Sequence, residues 1–456
     1  MDNKPGVEEH AEVVVVGTGF TGLRAATLLA AAGVDVVVLE ARDRVGGKVE
    51  SQIDALGDRV DTGGQFLCDD MTHVLDLVRA HGKQLVDVVD HRSGLTFLGD
   101  RPTADPAALD ALDDEAWEVW DELTGITPDD IAPGTSADAW LADRIDDPIV
   151  LEAARASIGS MMCMPLDRIP VASAVVEARR TPITGPELQY IVAETIHQVA
   201  DELAASLPRP VRLSCAVGRV RRTDDGVTVE ADGPDGPVTV HAREVLLAIP
   251  PAAVPHVEFD PPLPDHLAGT AAAYRAGDVF KFLVRYEQPF WRRDDLGPTR
   301  RFLHPAGMYC CDAAPADDRP TIVVFLGGRG AYQAQALSPD DRRQLVLDRL
   351  VEAYGEAAAT PTAFLERDWR PDRWGAGGYC NEIVDHAYAP PHVDALGTLR
   401  AGVPGISFAS TELAPAFPGY IEGALRAGRV AAEAMLERRA GTATGDPSAA
   451  GTPGGA

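Results

Sequence analysis

The chain reads VVVVGTGFTG over residues 13–22 and VVVLE over residues 36–40, with an Ala/Leu-rich run between them. The pattern predicts a strand, a glycine turn, a helix over Leu23–Ala32 closed by Gly33, and a second strand that ends in an acid. A strand, a helix and a second strand in this order form a βαβ unit. Such a unit predicts an α/β fold with a parallel sheet.

The three glycines of this unit have different expected roles. Gly17 allows the tight turn, Gly19 lets the backbone approach a pyrophosphate, and Gly22 lets the helix pack closely on the strand. The helix N-terminus supplies free N–H groups to the phosphates. Glu40 follows Gly22 by 18 residues, where a carboxylate would accept ribose hydroxyls. This context favours a dinucleotide site over an ordinary βαβ core unit.

The sequence EARDRVGGK over residues 40–48 extends the motif. Gly46 and Gly47 permit a close backbone approach to a second stretch of cofactor, and Arg42 can place a delocalised cation beside the pyrophosphate. The alternative is a solvated charged loop. The extension resembles that of the flavin-containing amine oxidase family, which includes monoamine oxidases, polyamine oxidases and L-amino acid oxidases. The resemblance implies FAD, since a nicotinamide enzyme does not need this segment.

Composition limits the class of protein. A chain of 456 residues exceeds the size of one hydrophobic core, so two domains are expected. With 41 basic and 70 acidic side chains the net charge is −29, which argues against nucleic acid or an anionic membrane as a partner. The six cysteines show no CxxC spacing and no zinc-type cluster, so no metal is expected, and reduced thiols indicate a cytoplasmic protein.

Two further features bear on location. The N-terminus is acidic and lacks the apolar segment of a signal peptide. No apolar run approaches 18 residues, so no membrane span is expected. A cytoplasmic protein is therefore predicted. The oligomeric state stays open, with a homodimer as one option.

The predicted organisation is two interleaved domains. The segment 211–247 shows four short strand patterns, Val211–Val220, Gly226–Ala231, Val238–His241 and Glu244–Ala248, separated by turn signals. Residues 72–207 are mainly helical by period, and helices are expected over Pro339–Tyr354 and about Tyr420–Arg438. The resemblance implies a Rossmann-like FAD-binding domain and an α+β substrate-binding domain. The FAD-binding domain takes residues 1–80, 211–285 and 395–440, the substrate-binding domain takes 81–210 and 286–394, and 441–456 is a disordered tail.

Lys281 lies in a strand pattern over Asp278–Tyr286 whose two faces are both apolar. A buried ammonium group is costly unless it finds polar partners. In the resembling family the matching lysine holds a water molecule against flavin N5, near the site of oxygen attack. The alternative is an edge-strand lysine whose ammonium reaches solvent.

Two loops resemble those that contact the flavin in this family. The first is DTGGQF over residues 61–66, and the second is WRPDRWGAGGYC over residues 369–380. By the resemblance, Gly378 falls where monoamine oxidases carry the cysteine linked to the flavin, so FAD is expected to be non-covalent, although a one-residue slip would bring Cys380 into question. Tyr379 falls on the first tyrosine of an aromatic cage.

The last motifs are STE over residues 410–412 and PGYIEG over residues 418–423. By the resemblance, Glu412 accepts hydrogen bonds from the ribityl or pyrophosphate side, and the N–H of Ile421 faces flavin N1 and O2 near a positive helix end. Tyr420 would face Tyr379 as the second wall of the cage. The alternative is a buried tyrosine pair beside a capped helix.

The resemblance thus implies an FAD-dependent amine oxidase that acts on a small-molecule amine and O2. The expected catalytic residues are Lys281, Tyr379 and Tyr420. The expected cofactor-binding residues are Gly17, Gly19, Phe20, Thr21, Gly22, Glu40, Arg42, Gly46, Gly47, Lys48, Gly63, Gly64, Gln65, Phe66, Val217, Trp369, Ser410, Thr411, Glu412, Tyr420 and Ile421.

Three alternatives stay open at this point. An L-amino acid oxidase would need an arginine for the carboxylate, and none of Arg155, Arg179, Arg180 and Arg373 can be given that role from sequence. A flavin-dependent desaturase or dehydrogenase keeps the glycines and Glu40 without needing Lys281 and the tyrosines. A non-catalytic flavin-binding protein would bind FAD without being reduced by a substrate.

Overall fold

A parallel four-stranded sheet lies at the centre of the first part of the fold. The computed structural model describes residues 6–89, 95–98, 101–102, 115, 117–293, 298–316 and 318–443. The strand order is Ile406–Phe408, Glu244–Leu247, Val13–Val16, Val36–Leu39, and each pairing is parallel. The four valines are buried, and they alternate between two clusters: Val13 and Val15 pack with the following helix, and Val14 and Val16 with the opposite layer. This two-sided burial explains the continuous valine run.

The opposite layer is a five-stranded sheet in the order Val7–His10, Gly236–Ala242, Gly226–Gly233, Ala216–Thr223, Glu258–Asp260. Its three middle strands are antiparallel, as the turn signals predicted. The N-terminal strand Val7–His10 has no counterpart in the sequence prediction. It pairs in parallel with Gly236–Ala242 through backbone hydrogen bonds, and it carries a single apolar residue.

A seven-stranded sheet forms the second part of the fold. Its order is Ala363–Asp368, Val279–Arg285, Thr321–Gly327, Met308–Asp312, Arg300–Phe302, Leu95–Leu98, Arg101–Pro102. The strand Val279–Arg285 was expected with the FAD-binding segments because the domain boundary was placed after residue 285. All its strand partners lie in this second sheet, however, so the boundary falls before the strand.

Helices cover both parts of the fold. Their bounds are Phe20–Ala31, Thr72–Ala80, Ala137–Ala142, Pro148–Met161, Val171–Arg179, His197–Ala205, Asp265–Ala273, Gly328–Ala334, Pro339–Tyr354, Ala395–Ala401 and Ile421–Ala443. The described residues also form three two-stranded pairs: Ser51–Ile53 with Arg59–Asp61, Leu85–Asp87 with Tyr190–Val192, and Tyr274–Ala276 with Asn381–Ile383. The mixed α/β class predicted from sequence is confirmed. Within the described residues, none of the helices has both the length and the apolar character needed to span a bilayer.

Among the sequence-based boundaries that are wrong are the start of the strand after Val211 and the end of the last helix. The strand expected from Val211 begins only at Ala216, because residues 211–215 cross the end of the first βαβ unit. There Ser214 has φ +54°, and the N–H of Cys215 donates to the carbonyl of Glu40 at 2.7 Å. The last helix was expected to end near Arg438 and a disordered tail to begin at 441, but the helix continues to Ala443. Residues 444–456 of that predicted tail lie outside the described residues.

Candidate functional site

The predicted site residues converge on one cavity of about 1110 Å³. The cavity exceeds the range of about 300–1,000 Å³ that is typical of small-molecule pockets. All the predicted catalytic and cofactor-binding residues line it except Gly22, which packs beneath it. A Cβ atom on Gly22 would lie 2.0 Å from the carbonyl oxygen of Gly17, so this contact requires glycine. The cavity therefore has room for an extended cofactor and a second molecule.

The glycine turn presents open backbone to the cavity. Gly19 precedes the helix Phe20–Ala31, and within the described residues no side chain caps that helix start. The first N–H groups of a helix lack intrahelical partners and favour anions. A Cβ atom on Gly19 would have only the Cα of Gly47 within reach, at 4.0 Å. The protein leaves this space empty, which suits a phosphate group.

Glu40 is fixed by three hydrogen bonds. Its carboxylate accepts from the N–H of Thr18 at 2.8 Å, from the hydroxyl of Thr18 at 2.5 Å and from the N–H of Arg42 at 2.8 Å. The side chain is 4% exposed and lines the cavity. Because a carboxylate has about four acceptor positions, Glu40 retains one for a ribose hydroxyl.

Three buried polar atoms on the cavity wall have no hydrogen-bond partner within the described part of the chain. They are Nζ of Lys48, Oγ of Ser410 and Oε2 of Glu412. The other carboxylate oxygen of Glu412 accepts from Asn381 Nδ2 at 2.6 Å and lies 4.0 Å from Lys48 Nζ. Burial lowers the pKa of Lys48, and the charge of Glu412 opposes that shift. Each unpartnered group costs about 1–3 kcal/mol, so these atoms fit a ligand rich in hydroxyls and phosphate oxygens.

A chain of ion pairs, which the sequence did not predict, lies beside the cavity. Arg42 was expected to point at the pyrophosphate, but its guanidinium pairs with Asp372. Asp372 also pairs with Arg367 at 3.0 Å, and Arg367 pairs with Glu50 at 2.8 Å. Glu50 also forms an ion pair with Arg44, which is the last member of the chain. Although burial opposes ionisation, the hydrogen bond from Arg367 and the charge of Arg44 lower the pKa of Glu50 to about 2.

The ion-pair chain contains three guanidinium groups and two carboxylates, so it keeps one positive charge. Arg42, at one end of the chain, lines the cavity. The surplus charge lies where an anionic pyrophosphate would be favoured, even though Arg42 itself is engaged. Asp372 also accepts the N–H of Gly375 at 2.6 Å, which ties the loop after Trp369 to the loop around Arg42.

Lys281 is buried, with 3% of its surface exposed, and its ammonium has polar partners. It donates to the carbonyls of Asp61 and Gly63, each at 2.8 Å, and to Gln65 Oε1. The ring of Phe325 lies 5.6 Å from Nζ. Burial lowers the pKa of Lys281 to about 7 against the charge of Asp61, and burial raises the pKa of Asp61 to about 7 against the charge of Lys281. The side chain does not reach solvent, so the edge-strand alternative is wrong.

Aromatic rings form another part of the wall. The hydroxyl of Tyr379 donates to the carbonyl of Ser160 at 3.0 Å, and that of Tyr420 donates to Glu187 Oε1 at 2.8 Å. These anchors fix both rings in the wall of the same cavity. Tyr309, which the sequence analysis did not select, is stacked on Phe325 at 4.9 Å between centroids. Glu187 was also missed, because it lies in a loop without a recognisable motif.

Gly378 lies in a tight position. A Cβ atom there would lie 2.9 Å from Val279 Cγ1, 3.0 Å from the carbonyl oxygen of Gly277 and 3.4 Å from Cys163 Sγ. The thiol of Cys380 lines the cavity but donates to the carbonyl of Met161 at 3.2 Å. A side chain at Gly378 would therefore displace its neighbours.

Comparisons with known proteins define the class. A family model for flavin containing amine oxidoreductases matches residues 20–131 and 141–436. The chain belongs to this family, as the sequence motifs predicted. Membership implies a flavin cofactor, and the unpartnered atoms and open glycines of the cavity fit one.

Individual relatives support the assignment over nearly the whole chain. Putrescine oxidase of Kocuria rosea is 31% identical over 479 residues, covering 95% of this chain and 96% of that protein. Amine oxidase [flavin-containing] B of Bos taurus is 27% identical and covers 94% of this chain and 87% of its own length. L-amino acid dehydrogenase of Synechocystis is 25% identical over 458 residues and covers 93% and 94%.

Solved structures share the fold. A putrescine oxidase in its wild-type form bound to putrescine superimposes with a TM-score of 0.83 at 26% identity, covering 94% of this chain and 100% of that one. Cyclohexylamine oxidase from Brevibacterium oxydans gives a TM-score of 0.81 at 26% identity, covering 94% and 99%. The expected amine oxidase fold is thereby confirmed.

Proposed function

We propose that this protein is an FAD-dependent amine oxidase that removes a hydride from the α-carbon of an amine. The observation that carries the proposal is the shared cavity. The glycine turn and Glu40 line it together with Lys281, Tyr379 and Tyr420. A dinucleotide site alone would suit many flavoproteins, whereas a buried lysine and two anchored tyrosines on the same cavity suit amine oxidation.

Bound FAD would accept the hydride at its N5 atom and would be reoxidised by O2 to give hydrogen peroxide. The helix start after Gly19 would hold the pyrophosphate, Glu40 the ribose, and Lys48 with Glu412 the hydroxyl-bearing part of the cofactor. Gly378 offers no sulfur for a covalent link, which supports non-covalent binding.

The amine would enter between the rings of Tyr379 and Tyr420. Because its nitrogen lone pair assists the departure of the hydride, the amine reacts as the neutral species and no strong base is needed. The resulting iminium adds water and releases a carbonyl compound with ammonia or a smaller amine. By the family resemblance, Lys281 would hold a water molecule against flavin N5. Because its three N–H donors reach Asp61, Gly63 and Gln65, one of these bonds would have to be exchanged for the water.

The purified protein provides the test. We expect a yellow flavin spectrum, bleaching when a panel of amines is added without oxygen, and recovery of the colour with one hydrogen peroxide per turnover when oxygen is admitted. A yellow protein that no amine bleaches would overturn the oxidase proposal and favour a non-catalytic flavin protein. Flavin that stays with the protein after acid precipitation would contradict non-covalent binding.

Oxidation of amino acids is the second candidate. Arg301 and Arg373 both line the cavity, and arginine pairs well with a carboxylate. Arg155 pairs with Asp138, and Arg180 pairs with Glu177. Bleaching by L-amino acids, with no response to simple amines, would favour this candidate.

We also propose a cytoplasmic location and O2 as the electron acceptor, with a monomer or a homodimer as the working assembly. All six cysteines are free thiols, which supports a reducing compartment. Sedimentation of the purified holoenzyme would give its assembly.

A further inference from the structure

Glu187 is a half-buried carboxylate on the cavity wall, and among the described residues it has no cationic partner. It lies between the helix Val171–Arg179 and the strand Tyr190–Val192 and lines the same cavity as the tyrosines. Its one hydrogen bond comes from the hydroxyl of Tyr420, at 2.8 Å. Within the described residues it forms no ion pair. Burial raises the pKa of Glu187, and the hydrogen bond from Tyr420 opposes that shift.

Several buried carboxylates of this chain pair with arginine. Asp54 pairs with Arg285 at 2.7 Å, Asp312 with Arg292 at 2.6 Å, and Glu50 with Arg367 at 2.8 Å. Removing a carboxylate from water without a cation is expensive. Glu187 is half-buried and lacks such a pair among the described residues, and a ligand in the cavity can supply the missing charge.

The surroundings of Glu187 also favour a cation. Tyr309 lies close enough for the charge of Glu187 to raise its pKa, after the larger effect of burial. Tyr309 stacks on Phe325 at 4.9 Å, and both rings line the cavity. Aromatic faces attract ammonium groups. A carboxylate and several rings together form a site that an organic ammonium ion would fill.

We propose that Glu187 binds a second, non-reacting ammonium group of the substrate, so that the preferred substrate is a diamine or another amine with a second cationic centre. The assignment rests on the proposed amine oxidase function. The second ammonium group, and not the reacting one, is assigned to Glu187 because a nearby carboxylate keeps an amine protonated. The reacting nitrogen must be neutral when the hydride leaves. The protein would thus bind the reacting nitrogen between Tyr379 and Tyr420 and the second nitrogen at Glu187.

The kinetic test compares α,ω-diaminoalkanes with n-alkylamines of equal chain length. The wild-type holoenzyme should have a higher kcat/KM for the diamine. Glu187→Gln keeps the shape and removes the charge, and it should lower the diamine-to-monoamine ratio of kcat/KM by about ten- to hundredfold, the range of a lost hydrogen bond to a charged group. The lower kcat/KM for the diamine should come mainly from a higher KM. Glu194→Gln, an exposed acid seven residues away, serves as the matched control and should leave the ratio unchanged.

An equilibrium measurement keeps the proposal falsifiable if Glu187→Gln folds poorly. A bis-quaternary alkane diammonium should perturb the oxidised flavin spectrum of the wild-type protein at lower concentration than the mono-quaternary analogue. Equal affinities, or a wild-type preference for the monoamine, would overturn the role of Glu187. Monoamine turnover would still support the amine oxidase function in that case, whereas the absence of bleaching by any amine would remove the function itself.

Discussion

Lys281→Met is the substitution whose consequences the structure specifies most closely. The change keeps a long unbranched side chain in the strand Val279–Arg285 and removes the ammonium group. Three acceptors lose their donor: the carbonyls of Asp61 and Gly63 and the amide oxygen of Gln65. Hydrogen bonds to a charged donor contribute about 1.5–3 kcal/mol each, and the desolvation of the buried ammonium costs several kcal/mol in the opposite direction.

The net effect on the free energy of unfolding is therefore expected to be about 3 kcal/mol of destabilisation, as for a buried pair that loses one partner. The effect on reaction should be larger. Removal of one preorganised electrostatic group from a water-excluded site typically slows chemistry by about 10²–10³-fold. FAD should stay bound, because the groups suited to its phosphates and ribose, around Gly19 and Glu40, are not in contact with Lys281.

Stopped-flow absorbance gives both half-reactions, namely flavin bleaching by amine without oxygen and recovery of colour when oxygen is mixed in. Lys83→Met is the matched control, because Lys83 pairs with Glu202 and is not among the residues lining the cavity. We expect it to retain wild-type rates. Rates of flavin reduction and reoxidation for Lys281→Met within twofold of the control would refute the reasoning.

The remaining predictions concern the cofactor site and the ion-pair chain. Glu40→Gln turns an amide N–H₂ toward groups that themselves donate, so the Kd for FAD should rise about ten- to hundredfold in flavin fluorescence titrations. Gly19→Val adds a side chain to open space at an ordinary φ of −61°, so the protein should melt within about 0.5 kcal/mol of wild type yet be purified colourless; a yellow variant would contradict the phosphate assignment. The pKa of Glu50 falls from 4.5 to about 2 on folding, so its stabilisation is complete above pH 4.5 and is lost as the pH falls toward 2. The free energy of unfolding can be measured with urea at pH 5 and at pH 3. The difference between the two values should be about 1–3 kcal/mol smaller in Glu50→Gln than in the wild type.

Local patterns predicted the parts of the fold whose partners are close in sequence. The run over residues 13–40 gave the strand, turn, helix and acid because each signal lies within one βαβ unit. Even there the helix starts at Phe20, three residues before the predicted Leu23, because the turn glycine Gly19 directly precedes it. The strand Val7–His10 escaped prediction because its pairing partner lies more than 200 residues away and its own pattern is polar.

Site residues could be predicted where a local motif sets the backbone conformation. They could not be predicted where a side chain distant in sequence sets the geometry of the site. Arg42 lines the cavity, but its partner Asp372 follows 330 residues later and no local signal connects the two. Glu187 has no motif at all, and only the folded cavity shows that it meets Tyr420, 233 residues away. A charged residue in a loop is usually solvated, so sequence alone gives no reason to select it.

Three long-range contacts join the loops suited to the cofactor to the second sheet and to the loop that follows its strand Ala363–Asp368. Lys281 donates to the backbone around Asp61 from a strand 220 residues later, and Arg367, on the neighbouring strand, pairs with Glu50. Arg42 reaches Asp372 in the loop that follows. Each contact is buried or half-buried and links a loop suited to the cofactor with a strand or loop suited to the substrate. A buried ion pair is weak evidence for stability, so these contacts matter for their geometry. They fix the second sheet relative to the loops suited to the cofactor, and the proposed hydride transfer would depend on that fixed position.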